Sequence, residues 1–190
     1  MNPITHALAG WCVAESVPGL GNRERAIIVI ASVAPDVDGL GIVVELATRN
    51  SAHPLFWFSE LHHLLAHNLL FAVLVAVAGA IAARARPIVV ATLAFAAVHL
   101  HLLCDLAGSR GPDGYQWPIP YLYPFPSTLQ LSWSGQWALN GWPNIAITMF
   151  LLATTFALAV RRGYSPLVLV SPGADRTVVA TLRSRVGRPI

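Results

Sequence analysis

The sequence predicts an all-α integral membrane protein: a helical bundle with about four membrane-embedded segments, one of them broken at Pro35–Asp38. Three observations carry that expectation. Hydrophobic residues make up 55% of the 190-residue chain and charged residues only 11%. The mean hydropathy is +0.60, too apolar for an ordinary soluble domain. Two stretches, 64–83 and 87–107, approach the roughly 20 residues needed to cross a bilayer, and the arginines fall between or after such stretches rather than inside them.

The segments follow in order. Residues 5–17 predict a short helix that enters the membrane partway. It has no basic run before it and no clean small-residue cleavage site after it, so it is not expected to be a signal peptide. Residues 26–47 are apolar but interrupted by Pro35, Asp36, Asp38 and Gly39. They predict a broken span whose irregular middle lines a polar cavity, where such backbone is tolerated at membrane depth. Then come 64–83, 87–107 and a slightly shorter stretch, 144–160, extendable through Trp142 and Pro143. Residues 1–162 are expected to form one membrane-embedded domain, and 163–190 a basic cytoplasmic tail. Cys12 and Cys104 sit in apolar surroundings and are expected to be buried free thiols.

Net charge is +3, and its placement is a topology signal. Cytoplasmic loops carry excess arginine. The Arg23/Arg25 turn, the Arg84/Arg86 turn and the tail from Arg161 and Arg162 through Arg176, Arg183, Arg185 and Arg188 are therefore predicted inside. Met1, the loop 48–61 and the long loop 108–141 are then outside. Topology already explains the arginines, so no nucleic-acid partner is expected.

Against this apolar background the histidines and carboxylates gather in four clusters: Thr5-His6, Pro35-Asp36-Val37-Asp38, His62-His63 through His67, and His99 and His101 through Asp105. Ionisable groups in membrane spans are costly and mark function by default. The predicted topology puts all four clusters at the extracytoplasmic boundary, although neither hydropathy nor arginine placement refers to histidine. His101 and Asp105 are four residues apart, on one helical face. That spacing suits two ligands of one ion, or a ligand and the carboxylate that fixes its tautomer. His99 lies about 200° round the helix from His101 and cannot share its ion. His62 and His67 suit one ligand before a helix and one in its first turn, whereas His63 and His67 have regular helical spacing; the residues alone leave the choice open. Asp36 and Asp38 form a short turn presenting two carboxylates, and Thr5 is expected to cap a helix on which His6 faces the cavity. His53, Glu15, Glu45, Asp113 and Asp175 read as surface or loop residues, with Glu60 near enough to His62 to support it.

The loop 108–141 interleaves Tyr115, Trp117, Tyr121, Tyr123, Phe125, Trp133 and Trp137 with Pro112, Pro118, Pro120, Pro124 and Pro126. Proline excludes a regular helix there. The aromatics suit the lipid headgroup level, either as a flap beside the polar clusters or as a plain interfacial anchor.

The order of motifs (Thr5-His6, Pro35-Asp36-x-Asp38, the stretch His62–Asn68, then His101-x-x-x-Asp105) resembles the YdjM-like family of bacterial inner-membrane metal-dependent hydrolases. The family's third motif commonly reads His-Arg-Gly-x-Thr-His-Ser. Here the two outer histidines match, while His63, Leu64, Ala66 and Asn68 stand at the four differing positions. The resemblance covers roughly residues 1–125. It favours His62 over His63 and implies distant kinship with zinc-dependent phospholipases C and single-strand nucleases, hence phosphoester chemistry.

The expectation is therefore a metal-dependent hydrolase of the bacterial cytoplasmic membrane, its site facing outward. His6, Asp36, His62, His67, His101 and Asp105 are the expected metal ligands, and Asp38 bridges or serves as the catalytic base. Mixed His/Asp ligation suits one or two divalent ions, zinc first and manganese second. The expected partner is membrane lipid, with a phospholipid headgroup as candidate substrate. The alternatives are a membrane protein that metal merely stabilises, and an ion or proton carrier, which would want polar groups along the apolar stretches 69–83 and 87–98.

Overall fold

In a computed structural model, residues 1–111, 114–126 and 128–187 are described. Pro112 and Asp113 of the long loop and Arg188 of the tail lie outside the described residues. The elements are helical: α1 (Pro3–Glu15), α2 (Asn22–Val33), a 3-10 helix (Ala34–Leu40), α3 (Gly41–Thr48), α4 (Trp57–Leu61), α5 (Leu69–Ala82), α6 (Pro87–Gly108), α7 (Trp142–Arg162), a second 3-10 turn (Pro166–Leu169) and α8 (Pro172–Arg185). Three helical stretches are long and apolar enough to cross a membrane: Asn22–Thr48, Pro87–Gly108 and Trp142–Arg162. α5 is a shorter apolar helix.

Local chemistry explains the boundaries. Asn2 caps α1, its side chain accepting from Thr5 N at 3.0 Å, with Pro3 pre-set for the first turn. Thr5, expected as the cap, instead pairs its hydroxyl with Thr148 of α7 at 2.6 Å. The predicted break is a 3-10 helix opening with Pro35, whose missing N–H suits a first turn. α5 starts later than hydropathy suggests. His63 adopts a left-handed backbone (φ 67°), and Asn68 then caps the helix by accepting from Phe71 N at 2.9 Å. The residues 62–68 that read as the opening of a span are thereby left as an irregular segment at its mouth.

α1 packs against α2 and α7, α2 against α6, and α5 against α6. Small residues permit these approaches. A Cβ on Gly10 would lie 2.1 Å from Ser32 Oγ, and the core between the helices is built from residues such as Ala31, Ala72, Ala94 and Val98. Ile81, Ile88 and Phe150 are at least 70% exposed, as lipid-facing side chains should be.

The bundle has two chemically distinct ends. At one, Glu15 is buried, accepting from Arg25 Nε at 2.6 Å and pairing with Arg162. Glu24 accepts from the backbone of Arg84 and Ala85, Arg23 reaches Ala82 O, and Arg86 reaches Pro18 O. Glu15 is thus no surface charge; it fastens α1 to α2 and α7. The tail folds onto this end. Asp175, which reads as a loop residue, lies in the first turn of α8, where its carboxylate accepts from Ser165 N and Oγ, both at 2.7 Å. Toward the other end, about 20 Å along α6 from Pro87 to His101, lie the histidines.

Around that second end the described parts of the long loop are tied down by hydrogen bonds. Ile119 and Leu131 exchange backbone hydrogen bonds at 2.9 Å, and Ile119 is fully buried. Trp137 Nε1 donates to Asn144 Oδ1 at 2.7 Å, while Asn144 Nδ2 donates to Gly108 O at 2.8 Å, clamping the loop between α6 and α7. Cys12 and Cys104 are free and half-buried.

Candidate metal centre

Asp105 stands at the middle of the histidine end. It is one turn beyond His101 on α6, and its Oδ2 lies 3.0 Å from His101 Nε2. The N-terminal part of α1 brings His6 Nε2 to 3.3 Å from Asp105 Oδ1. The irregular segment before α5 brings His67 Nε2 to 3.4 Å and His63 Nε2 to 3.9 Å from Oδ2. The 3-10 break brings Asp36 Oδ1 to 3.7 Å from His101 Nε2. Each of these side chains is buried except Asp36, which is about one-fifth exposed. The nitrogen of Met1 also contacts Asp105, and lies 2.9 Å from Ser109 Oγ. Two donor groups result: His6, Asp36, His101 and Asp105, and His63, His67 and Asp105. They share one carboxylate.

The rings are held in orientation from behind. His101 Nδ1 donates to Ser32 O at 2.8 Å. His67 Nδ1 lies 3.1 Å from Asp38 Oδ2, and His62 Nδ1 lies 2.8 Å from Asp38 Oδ1. An ionised carboxylate only accepts, so both Nδ1 atoms donate to it, and each Nε2 is left to face the site. Asp38 also accepts from Ala66 N at 3.1 Å. It orients histidines, and neither donor group includes it. His62 likewise stands outside both groups. It stacks on Phe58 with ring centroids 4.7 Å apart and lines a cavity beside the cluster.

His63 takes the place beside His67 that spacing alone had left undecided. The signal that marks it is not helical periodicity, since 62–68 is not helical. It is the left-handed turn at His63 that swings its ring toward Asp105. His99 faces elsewhere, with Nε2 2.8 Å from Tyr121 Oη and Nδ1 donating to Phe95 O, tying the loop to α6. Trp117 of the loop meets His62 and His63 with centroids 5.4 and 5.2 Å apart, so the loop walls the site. Glu60 and His53 are exposed. Glu45 accepts from Ser59 N and Oγ at the surface.

The electrostatics of the 62–68 segment are polarised. Burial drives down the His63 pKa, with the neighbouring His67 adding to the effect, to about 2. Burial works against charge on His67 too, but the carboxylates of Asp105 and Asp38 outweigh it and raise its pKa to about 9. His67 Nε2 faces His101 Nε2 at 3.2 Å and Asp105 Oδ2 at 3.4 Å.

The donor set fits a divalent ion. His6 Nε2 and Asp36 Oδ2 are buried without hydrogen-bond partners, an arrangement that costs free energy unless something binds them. Imidazole nitrogens mixed with carboxylate oxygens are donors that zinc and other divalent transition-metal ions accept.

Fold and site together define a polytopic helical membrane protein that gathers histidines and carboxylates at one end of its bundle. A family model described as YdjM inner membrane protein matches residues 1–181, and the chain belongs to that family. The match runs past the motifs, through α7 and most of α8. No curated protein and no solved structure matches the chain.

Proposed function

We propose that the chain is a metal-dependent hydrolase of the inner membrane, working on a phosphoester at the extracytoplasmic end of its bundle, with membrane lipid as the source of substrate. The observation that supports it most is the shared carboxylate of Asp105, which serves two donor groups at once, as bridging ligands do in two-ion phosphoryl-transfer sites. The arginines at the opposite end support the orientation, since arginine-rich ends face the cytoplasm.

In this reading His6, Asp36, His101 and Asp105 would hold one ion, and His63 and His67 with Asp105 would hold a second. Divalent zinc, with manganese the second candidate, would supply Lewis acidity there, lowering the pKa of water and polarising a phosphoryl oxygen. Ser32 O and Asp38 keep His101 and His67 presenting Nε2. His62, with its Nδ1 proton donated to Asp38 and its ring on the cavity wall, is a proton-transfer group: Nε2 takes a proton from water and returns it to the leaving oxygen. Trp117 and Phe58 restrict water on that wall.

The test is turnover of bis(p-nitrophenyl) phosphate and of short-chain phospholipids by detergent-purified, metal-loaded protein. Turnover abolished by chelation is expected, with a fall of about 100-fold or more in a His62→Asn variant that keeps its metal. A metal-loaded protein that turns over none of these, and whose thermal stability alone responds to chelation, contradicts the enzyme and favours a structural metal.

A further inference from the structure

All twelve basic residues of the chain are arginines, and ten of them lie at the charged end or in the tail. Arg49 and Arg110 are the two at the histidine end. Arg49 is exposed at the close of α3. Arg110 is different, for it lines the same cavity of about 430 Å³ as Asp36, His62, His63, Asp105 and Trp117. Its backbone is pinned on both sides, N donating to Trp137 O at 3.1 Å and O accepting from Leu139 N at 3.0 Å. Its guanidinium, however, has no ion-pair or hydrogen-bond partner among the described residues.

An arginine fixed at the backbone, half-buried, lining one cavity with two carboxylates and paired with neither, is poorly explained by packing or topology. The carboxylates of the cluster are already engaged or aimed at the donor groups. A guanidinium is a fork of donors matched to phosphate and carboxylate oxygens. Arg110 lines a cavity shared with candidate metal ligands, where such a fork is suited to the non-reacting oxygens of a phosphoryl group.

We propose that Arg110 is the substrate-binding cation of the site, recognising the anionic oxygens of a phosphate ester or of the inorganic phosphate it yields. The inference rests on the metal-site reading above. It adds that the substrate carries negative charge at the reacting group, so neutral carboxylic esters are not taken.

The test is calorimetric titration of zinc-loaded, detergent-purified protein with inorganic phosphate and, separately, with dihexanoyl phosphatidic acid, for wild type, Arg110→Gln and Arg110→Lys. Metal content is measured on every sample. Phosphate binding that weakens at least tenfold in Arg110→Gln and less in Arg110→Lys, at unchanged metal content, is the expected result. Tighter binding of the lipid than of phosphate in wild type assigns a membrane source to the substrate, while equal binding assigns a free phosphate ester. Equal phosphate affinity in all three proteins, or no phosphate binding to metal-loaded wild type, overturns the role of Arg110 and leaves the metal centre standing. Wild type that takes up no metal overturns the metal centre itself. If Arg110→Gln does not fold, the comparison of Arg110→Lys with wild type decides, since loss of the fork geometry should still weaken binding.

Discussion

His67 and His101 face each other through their Nε2 atoms at 3.2 Å, one ring reaching in from the segment before α5 and the other from α6. Each ring is committed at the back, His67 through Asp38 and His101 through Ser32 O. Two imidazoles so placed need a positive charge between them, from a proton or a metal.

Asp38 supports the cluster without belonging to either donor group. Asp38→Ala is expected to weaken metal binding by about 10–100-fold while leaving it stoichiometric at high metal, as the loss of an orienting partner does. Competition titration against a chromophoric chelator measures this. An Asp38→Ala protein that binds no metal at saturation would show that Asp38 is a ligand after all.

The pH dependence follows from the same segment. The His67 pKa is raised to about 9 in the fold from an ordinary 6.5. Its contribution to metal-free stability is therefore complete below pH 6.5 and lost as pH rises toward 9. His63 has its pKa lowered to about 2, so stability is also lost as pH falls below 6.5, where the unfolded chain takes up the proton first. The metal-free protein is expected to be most stable near pH 6.5. Metal must displace the His67 proton, so binding at pH 7 should release about one proton and tighten as pH rises. Thermal melts across pH, and calorimetry in buffers of different ionisation enthalpy, check both signs.

Much of the fold was legible in the sequence, because hydropathy and proline report directly on spans and breaks. The break at Pro35, the apolar helices and the gathering of His6, Asp36, His67, His101 and Asp105 needed no tertiary information. What escaped was tertiary. The opening of α5 was set by a left-handed residue and an asparagine cap, which override hydropathy there. The burial of Glu15 depends on arginines that come ten and nearly 150 residues later in the chain. His62 leaves the helix with extended backbone (ψ 134°) and His63 is left-handed (φ 67°), and spacing rules written for helices are blind to both.

Gly108 is where the loop clamp closes. A Cβ there would lie 2.4 Å from Asn144 Oδ1 and 2.6 Å from Trp137 Nε1. Gly108→Ala should break the Trp137–Asn144 bond and cost about 1–3 kcal/mol, seen as a lowered melting temperature. An unchanged melt would mean that the clamp relaxes freely and does not hold the loop.

Orientation is tested with single cysteines in a Cys12→Ser/Cys104→Ser background. Ser51→Cys, in the exposed loop after α3, should react with a membrane-impermeant maleimide added to spheroplasts. Ser184→Cys, on α8, should react only after permeabilisation. The reverse pattern puts the histidine end in the cytoplasm and removes the extracytoplasmic site.

The most direct measurement is the metal content of detergent-purified protein, wild type beside His101→Ala/Asp105→Ala. One or two equivalents of zinc or manganese in wild type, absent from a variant that still inserts and folds, is the predicted result. A wild type that holds no divalent ion after reconstitution, or a variant that holds as much, contradicts the metal centre on which the proposed chemistry depends.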